Sequence, residues 1–178
     1  MKILLTGPPR IGKTTIIKKV INLFKKDGYK LCGFYTEEIK EKGKRVGFKL
    51  VTLDGREIIF SHINFKTPFK VSKYKVDIKA LEKVLMSLKP ALEEIVIIDE
   101  IGKMECLSER FKKFIWDLLH EKYLFLGTIA IKGDSFIEDI KKLKQIKLIE
   151  VNINNRDNLP GIIRNYYKYE SFGHCNHI

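Results

Sequence analysis

The sequence predicts an α/β domain, a mainly parallel sheet flanked by helices with an antiparallel β-meander attached, and three observations carry that prediction. Continuous apolar runs, "KILLT" at 2–6, "IVII" at 95–98 and "YLFLGTIAI" at 123–131, read as strands buried on both faces, as in parallel sheets. Segments with apolar residues at helical spacing lie between such runs, so strands alternate with helices joined by right-handed crossovers. Between residues 31 and 60, β-rich runs are separated by Gly-containing turns, the mark of a meander.

The first strand, 2–6, is bounded by Gly7 and Pro8. From 14 to 26, Ile16, Ile17, Val20, Ile21, Leu23 and Phe24 share one helical face while Lys18, Lys19, Lys25 and Lys26 face away, and Gly28 is placed to end the helix. Runs at 31–39, 45–53 and 56–60, separated by "EKGK" and "DG", give about three strands of meander. Residues 61–74 lack a clear period and read as a loop. Asp77 can cap a helix carrying Ile78, Leu81, Val84, Leu85 and Leu88, interrupted or renewed at Pro90. The strand at 94–100 stays apolar until its last two residues; a helix at about 108–120 leads into the strand at 123–131. A helix at 134–143, a strand at 147–151 and a closing helix at 159–169 follow. Without repeats or low-complexity linkers, residues 1–178 are expected to be one domain, with the meander at about 31–60 inside it and a tail at about 170–178.

The length of 178 residues suits one domain, and 44% apolar residues suffice for a packed core. No uncharged apolar run of ~18 residues occurs, so a membrane span is not expected. Met1-Lys2 leads directly into a strand without the regions of a signal peptide, so the expected location is cytoplasmic. Cys32, Cys106 and Cys175 are far apart and form no CxxC pair, which speaks against a disulfide framework and a zinc knuckle. His174, Cys175 and His177 gather soft ligands at the chain end, where adventitious metal binding is the expectation.

The balance of 34 Lys and Arg against 22 Asp and Glu, a net +12, favours anionic small substrates such as nucleotides. The lysines are spread along the chain, often beside glutamates, and Gln145 is the single glutamine, a composition that proteins of hot environments show. With no RNP-type aromatic motif and no helix-turn-helix spacing, a dedicated nucleic-acid partner is not expected.

Residues 7–14 match G-x-x-x-x-G-K-T between a predicted strand and a predicted helix, the context a phosphate-binding loop requires. This Walker A loop, Gly7, Pro8, Pro9, Arg10, Ile11, Gly12, Lys13, Thr14 and Thr15, is the candidate nucleotide-binding segment. Its backbone N–H groups and the positive helix end surround phosphates, Lys13 reaches the β and γ oxygens, and the Thr14 hydroxyl binds Mg²⁺. Asp99, at the polar end of the strand (Walker B), is placed to hold the Mg²⁺ hydration shell opposite Thr14. Glu100 beside it is positioned to orient or deprotonate a water aimed at the γ-phosphate, which favours hydrolysis over transfer; the bland alternative is a solvated glutamate opening a loop. Thr128 either senses the γ-phosphate, if its strand lies between those of the loop and of Asp99, or is an ordinary β-branched strand residue. Arg156, in Asn155-Arg156-Asp157, either contacts base or phosphate or belongs to a polar turn in which Asn155 or Asp157 caps the last helix.

The blocks "TGPPRIGKTT", "GFYTEEI", "GKRVGFKLVTLDG", "VIIDEIGKME", "LGTIAI" and "NRDNLP" occur in that order between Lys2 and about Gly161. Together they resemble the small nucleoside-triphosphatase family of P-loop proteins found in thermophilic microbes and in animals. The resemblance implies a P-loop NTPase with a RecA-like sheet and attached β-meander, and Mg²⁺-dependent hydrolysis of ATP, GTP and other nucleoside triphosphates with slow turnover and loose base preference. It also implies that Gly7 to Thr14 hold the nucleotide and that Asp99 and Glu100 are the metal and water carboxylates, with Lys103 and Glu105 as further members of the nucleotide site whose roles stay open. Arg10 stands where many relatives have Gly; it either extends into solvent or lies over the phosphates as a charge-stabilising group.

The expected protein is therefore a monomeric nucleoside triphosphatase that uses Mg²⁺ and accepts ATP, GTP, CTP and UTP. Lys13 stabilises transferring phosphate charge, Thr14 and Asp99 hold the metal, and Glu100 polarises water. The rivals are a nucleotide or nucleoside kinase and an RNA-linked module with a nucleotide switch. A kinase usually needs an Arg-bearing lid, whereas the longest candidate insert, 61–74, contains Lys but no Arg.

Overall fold

In the first strand, β1 (Lys2–Thr6), the side chains of Ile3, Leu4 and Leu5 are all fully buried, which requires sheet neighbours on both edges and packed layers on both faces. The computed structural model supplies both. It describes residues 1–173, with side chains through Tyr169, so the candidate metal ligands His174, Cys175 and His177 lie outside the described residues.

After β1 come α1 (Lys13–Lys26), β2 (Leu31–Glu41), β3 (Lys44–Thr52), β4 (Glu57–His62), β5 (Lys70–Val71), β6 (Tyr74–Val76) and α2 (Ile78–Ser87). There follow β7 (Ile95–Ile101), a 3₁₀ turn (Glu105–Leu107), α3 (Glu109–His120), β8 (Leu124–Ile129), α4 (Ser135–Lys141), β9 (Lys147–Glu150) and α5 (Leu159–Gly173). The strands form one nine-stranded sheet in the order β5-β6-β4-β3-β2-β7-β8-β1-β9. From β2 to β9 the neighbours run parallel, and from β2 outward through β3, β4, β6 and β5 they run antiparallel. This is the α/β architecture of a P-loop NTPase with its meander in the same sheet, joined through β2.

Alternation along the parallel strands divides the core between two faces. Ile3, Leu5, Ile95, Ile97 and Leu126 pack with Ile17, Val20 and Phe24 of α1 and with Ile163 and Tyr167 of α5. Leu4, Val96, Ile98 and Phe125 point the other way, toward Leu81 of α2, Phe111 and Ile115 of α3 and Ile137 of α4. The starts of α2, α3 and α4 are set by side-chain caps: Asp77 Oδ1 accepts from Ala80 N at 3.2 Å, Ser108 Oγ from Phe111 N at 3.1 Å and Asp134 Oδ1 from Ile137 N at 3.1 Å.

The segment 61–74 is not a loop throughout. β4 runs on to His62, and β5 and β6 add a short antiparallel hairpin. Strands of two and three residues are too short to display a period, so their pairing is set by neighbours rather than by local pattern. β2 is also longer than its apolar run suggests. It pairs with β7 only from Leu31 to Phe34, while Tyr35 to Glu41 continue against β3, carrying the meander past the paired part of β7. That overhang walls the site described below.

Gly33 is where the meander is fastened to the parallel core. Its φ is +127°, and a Cβ there would lie 1.9 Å from the Ile97 carbonyl oxygen on β7. Gly33→Ala forces the two backbones apart and adds left-handed strain, so we expect a loss of at least ~3 kcal/mol in stability, read as a lower urea midpoint. An unchanged midpoint would contradict the close contact.

Candidate active site

The loop between β1 and α1 crosses the carboxyl edge of the sheet. Gly7, at φ +145°, passes so close to the residue after β9 that a Cβ would meet the Val151 carbonyl oxygen at 2.7 Å, so only glycine fits. Pro8 O accepts from Ile11 N at 3.3 Å and closes the turn, while the Ile11 side chain packs against the α1 face of the core. Lys13 is the first residue of α1, and its Nζ donates to Gly7 O at 2.9 Å and Pro8 O at 3.2 Å. The ammonium is thus held under its own loop, close to where the loop amides converge.

A cleft of about 960 Å³ opens above this loop. Gly7, Pro9, Arg10, Gly12, Lys13, Thr14 and Thr15 line its floor, Asp99, Glu100, Lys103, Glu105 and Thr128 one side, and residues of β2 and β3 the facing wall. Pro8 and Ile11 do not line it; they shape the loop from behind. Arg10 stands exposed at the loop crest with φ +65° and makes no hydrogen bond among the described residues.

Asp99 and Glu100 reach the cleft because the ladder beside them is irregular. β7 pairs with β8 as Ile98↔Gly127 and then as Ile101↔Ile129, so β7 carries one extra residue where the two carboxylates lie, a bulge that re-aims side chains. β8 lies between β7 and β1, which brings Thr128 beneath the phosphate loop. The Thr128 hydroxyl donates to Asp99 Oδ1 at 2.6 Å, and Thr14 lines the cleft together with this carboxylate. Burial pushes the Asp99 carboxyl above its usual range, opposed by the two threonine hydroxyls and by the Lys13 charge.

The other oxygen, Asp99 Oδ2, is buried without a hydrogen-bond partner among the described residues. A buried carboxylate oxygen left open beside a threonine hydroxyl is the donor set a hard divalent cation prefers, so the residues present fit Mg²⁺.

Glu100 is half-buried and its carboxyl is raised, first by burial and then by the charge of Asp99, against the pull of Lys13 and Arg45. Glu105, on the 3₁₀ turn, is 5% exposed; burial and then the Glu100 charge push its carboxyl well above the usual range. The two acids flank Gly102: a Cβ there would lie 3.0 Å from both Glu100 Oε1 and Glu105 Oε2. Lys103 is exposed at the cleft edge.

Arg156 is not brought into this cleft. It sits exposed on the turn after β9, its N–H donating to Asn152 O at 3.1 Å. Asn155 locks that turn, accepting at Oδ1 from Asn152 N at 2.9 Å and donating from Nδ2 to Glu150 O at 2.8 Å. Missed by sequence reasoning are Lys18, Glu37, Glu38, Arg45 and Phe48, all lining the cleft. Four of them, Glu37, Glu38, Arg45 and Phe48, lie on the overhanging meander strands within the quoted blocks "GFYTEEI" and "GKRVGFKLVTLDG", yet only the overhang shows that they line the cleft.

Residues 2–164 match the model of a family described as NTPase. The chain is 42% identical over 172 residues to nucleoside-triphosphatase THEP1 of Thermotoga sp. (strain RQ2), covering 95% of this chain and 97% of that protein. It is similar to the crystal structure of THEP1 from the hyperthermophile Aquifex aeolicus, with a TM-score of 0.79 and 31% identity over 92% of this chain and 96% of that one. Similarity to the solution structure of a human cancer-related nucleoside triphosphatase is of the same order, with a TM-score of 0.80 and 33% identity over 94% of this chain and 97% of the other.

Proposed function

From the premise that this chain belongs to the NTPase family and is a nucleoside-triphosphatase, we propose that it hydrolyses ATP, GTP, CTP and UTP to the diphosphate and phosphate in a Mg²⁺-dependent reaction. The observation that supports this most is the meeting, in one cleft, of the Lys13 ammonium, the open oxygen of Asp99 and the raised carboxyl of Glu100.

The phosphates lie along residues 7–15, where loop N–H groups and the start of α1 attract them. Lys13 exchanges its carbonyl partners for β and γ oxygens as negative charge shifts toward the leaving diphosphate. Thr14 and Asp99 would hold Mg²⁺, which would supply neutralisation of the phosphate charge. Thr128 keeps Asp99 in place through its 2.6 Å bond. Glu100 orients the attacking water and accepts its proton as the water oxygen bonds to the γ phosphorus and the bridging oxygen departs with the diphosphate. Its raised carboxyl brings its basicity closer to that of a base working near neutral pH. The protein acts as a cytoplasmic monomer in this reading; among the described residues no helix is long and apolar enough to cross a membrane.

Phosphate release measured alone, with RNA, and with nucleosides or nucleotides as acceptors separates this reading from its rivals. Release that is unchanged by all additions supports hydrolysis; appearance of a phosphorylated acceptor at the expense of free phosphate supports a kinase, and strong stimulation by RNA a switch.

The base should matter little. The sequence contains no Asn-Lys-x-Asp code for guanine, and Arg156, on the turn adjoining the phosphate loop, offers a stacking plane open to any base. Stacking without base-edge hydrogen bonds discriminates weakly, so kcat/KM for the four triphosphates is expected to fall within ~30-fold, or about 2 kcal/mol. Arg156→Ala should weaken all four alike. A strong preference for one base, abolished selectively in R156A, would show that this turn reads base edges.

A further inference from the structure

We propose that Arg45, from the overhanging meander, is a catalytic residue that contacts the γ-phosphate in the transition state, as an arginine finger supplied by the chain itself. The proposal rests on the hydrolytic reading above and adds a role to a residue which that reading does not use.

Position comes first. Arg45 lies on β3 opposite Lys40 of β2, just after a register shift at Ile39/Lys40, and such a bulge increases local twist and turns side chains off the plain ladder direction. Its side chain lines the same cleft as Lys13, Thr14 and Glu100, from the facing wall. Its charge is felt at Glu100, the residue placed to hold the attacking water. The guanidinium therefore shares the cleft with the phosphate loop while coming from the meander, so it can meet charge on a transferring group that the loop and Lys13 do not neutralise.

Preorganisation comes second. Arg45 Nε donates to the Tyr74 hydroxyl at 2.8 Å, Nη1 donates to Glu38 Oε1 at 2.7 Å, and the guanidinium carbon lies 5.0 Å from the centroid of the Phe48 ring. Tyr74 is buried and itself stacks edge-on against Phe48, so the support is rigid. Among the described residues Nη2 has no hydrogen-bond partner, which leaves its N–H donors for a ligand. A cation held this way gives up little freedom when charge develops, which is what makes such a group effective.

Charge balance comes third. Glu38 is shared between Arg45 and Lys40, whose Nζ lies 3.3 Å from Glu38 Oε2, so two cations stand against one carboxylate. The cluster keeps a net positive charge facing a phosphate site. Arg10 has none of this support: it is exposed at the loop crest with no hydrogen-bond partner among the described residues.

The test is the division between kcat and binding. Arg45→Ala is expected to lower kcat by about 10³-fold while the dissociation constant for a non-hydrolysable triphosphate with Mg²⁺ changes by less than ~5-fold. Arg45→Lys, which keeps the charge but loses the fork, should remain at least ~10²-fold down. Free guanidinium ion should restore part of the R45A rate, and Tyr74→Phe, which leaves the guanidinium but frees its Nε, should cost about 10-fold in kcat alone. Retained nucleotide binding shows in the same experiment that the variants are folded. If R45A turns over within ~3-fold of wild type, or loses ground-state binding in proportion to its rate, or if guanidinium rescues nothing, the assignment is wrong. Loss of turnover in Lys13→Ala together with an unaffected R45A would retain the proposed function and remove this addition to it.

Discussion

Lys13→Ala is expected to lower turnover by at least ~10³-fold with every nucleoside triphosphate, in protein that still folds. The reason is geometric. Lys13 Nζ is held 2.9 Å from Gly7 O and 3.2 Å from Pro8 O, under the loop that the proposed function assigns to the phosphates, so in that reading its charge is on hand at the β and γ oxygens before the reaction begins. The other cations of the cleft lie elsewhere: Arg10 at the crest, Lys103 and Lys132 exposed, Arg45 and Lys40 on the meander strands, and Lys18 paired with Glu37. None can replace an ammonium rooted in the first turn of α1. Folding should survive the change, since the methylene stem of Lys13 is only half-buried and the core beneath α1 is carried by Ile16, Ile17, Val20 and Phe24. Phosphate release near the wild-type rate from folded, metal-replete K13A would remove the phosphate loop from the account.

Glu100→Gln is expected to keep triphosphate and Mg²⁺ binding and to lower kcat by at least ~10²-fold. The amide preserves the volume of the side chain beside Gly102 and removes its basicity. It also removes a charge that burial and Asp99 both oppose, so the variant should be no less stable than the parent and its defect can be read as chemical. Two equilibrium measurements and one rate decide the matter: nucleotide affinity, metal affinity and single-turnover phosphate release. Should E100Q instead lose metal or nucleotide affinity while its rate per bound nucleotide stays intact, Glu100 would be a ligand, and the water would need another base.

Lys13, Thr14, Asp99 and Glu100 are legible in the sequence because each is fixed by something local. A strand ends, a loop of set length turns over its edge, and a helix begins; a second apolar strand ends in two acids. Such features need no knowledge of which strand lies beside which. Thr128 is half legible: its meaning depended on β8 lying between β7 and β1, and only the sheet order decides that. Arg45, Glu38 and Tyr74 are a different case. They come from β3, β2 and β6, and they meet because β2 outruns its pairing with β7 at Phe34 and carries the meander over the cleft. No spacing in the sequence encodes that reach. The hairpin of β5 and β6 escaped for a related reason, since strands this short are held by their neighbours and not by their own pattern. Arg156 follows from the general rule that loops at the carboxyl edge adjoin the ligand; the bonds of Asn155 hold its turn together after β9, outside the residues that line the cleft.

In the proposed function, the cleft passes the γ-phosphoryl group to water, with Glu100 holding that water. Single turnover in isotopically labelled water, with Mg²⁺ and no acceptor added, tests it most directly. One labelled oxygen is expected in each inorganic phosphate released, none in the diphosphate, and both label and product should be lost in E100Q. Label in the diphosphate, or product formed only when a nucleoside, nucleotide or RNA is supplied, would contradict it.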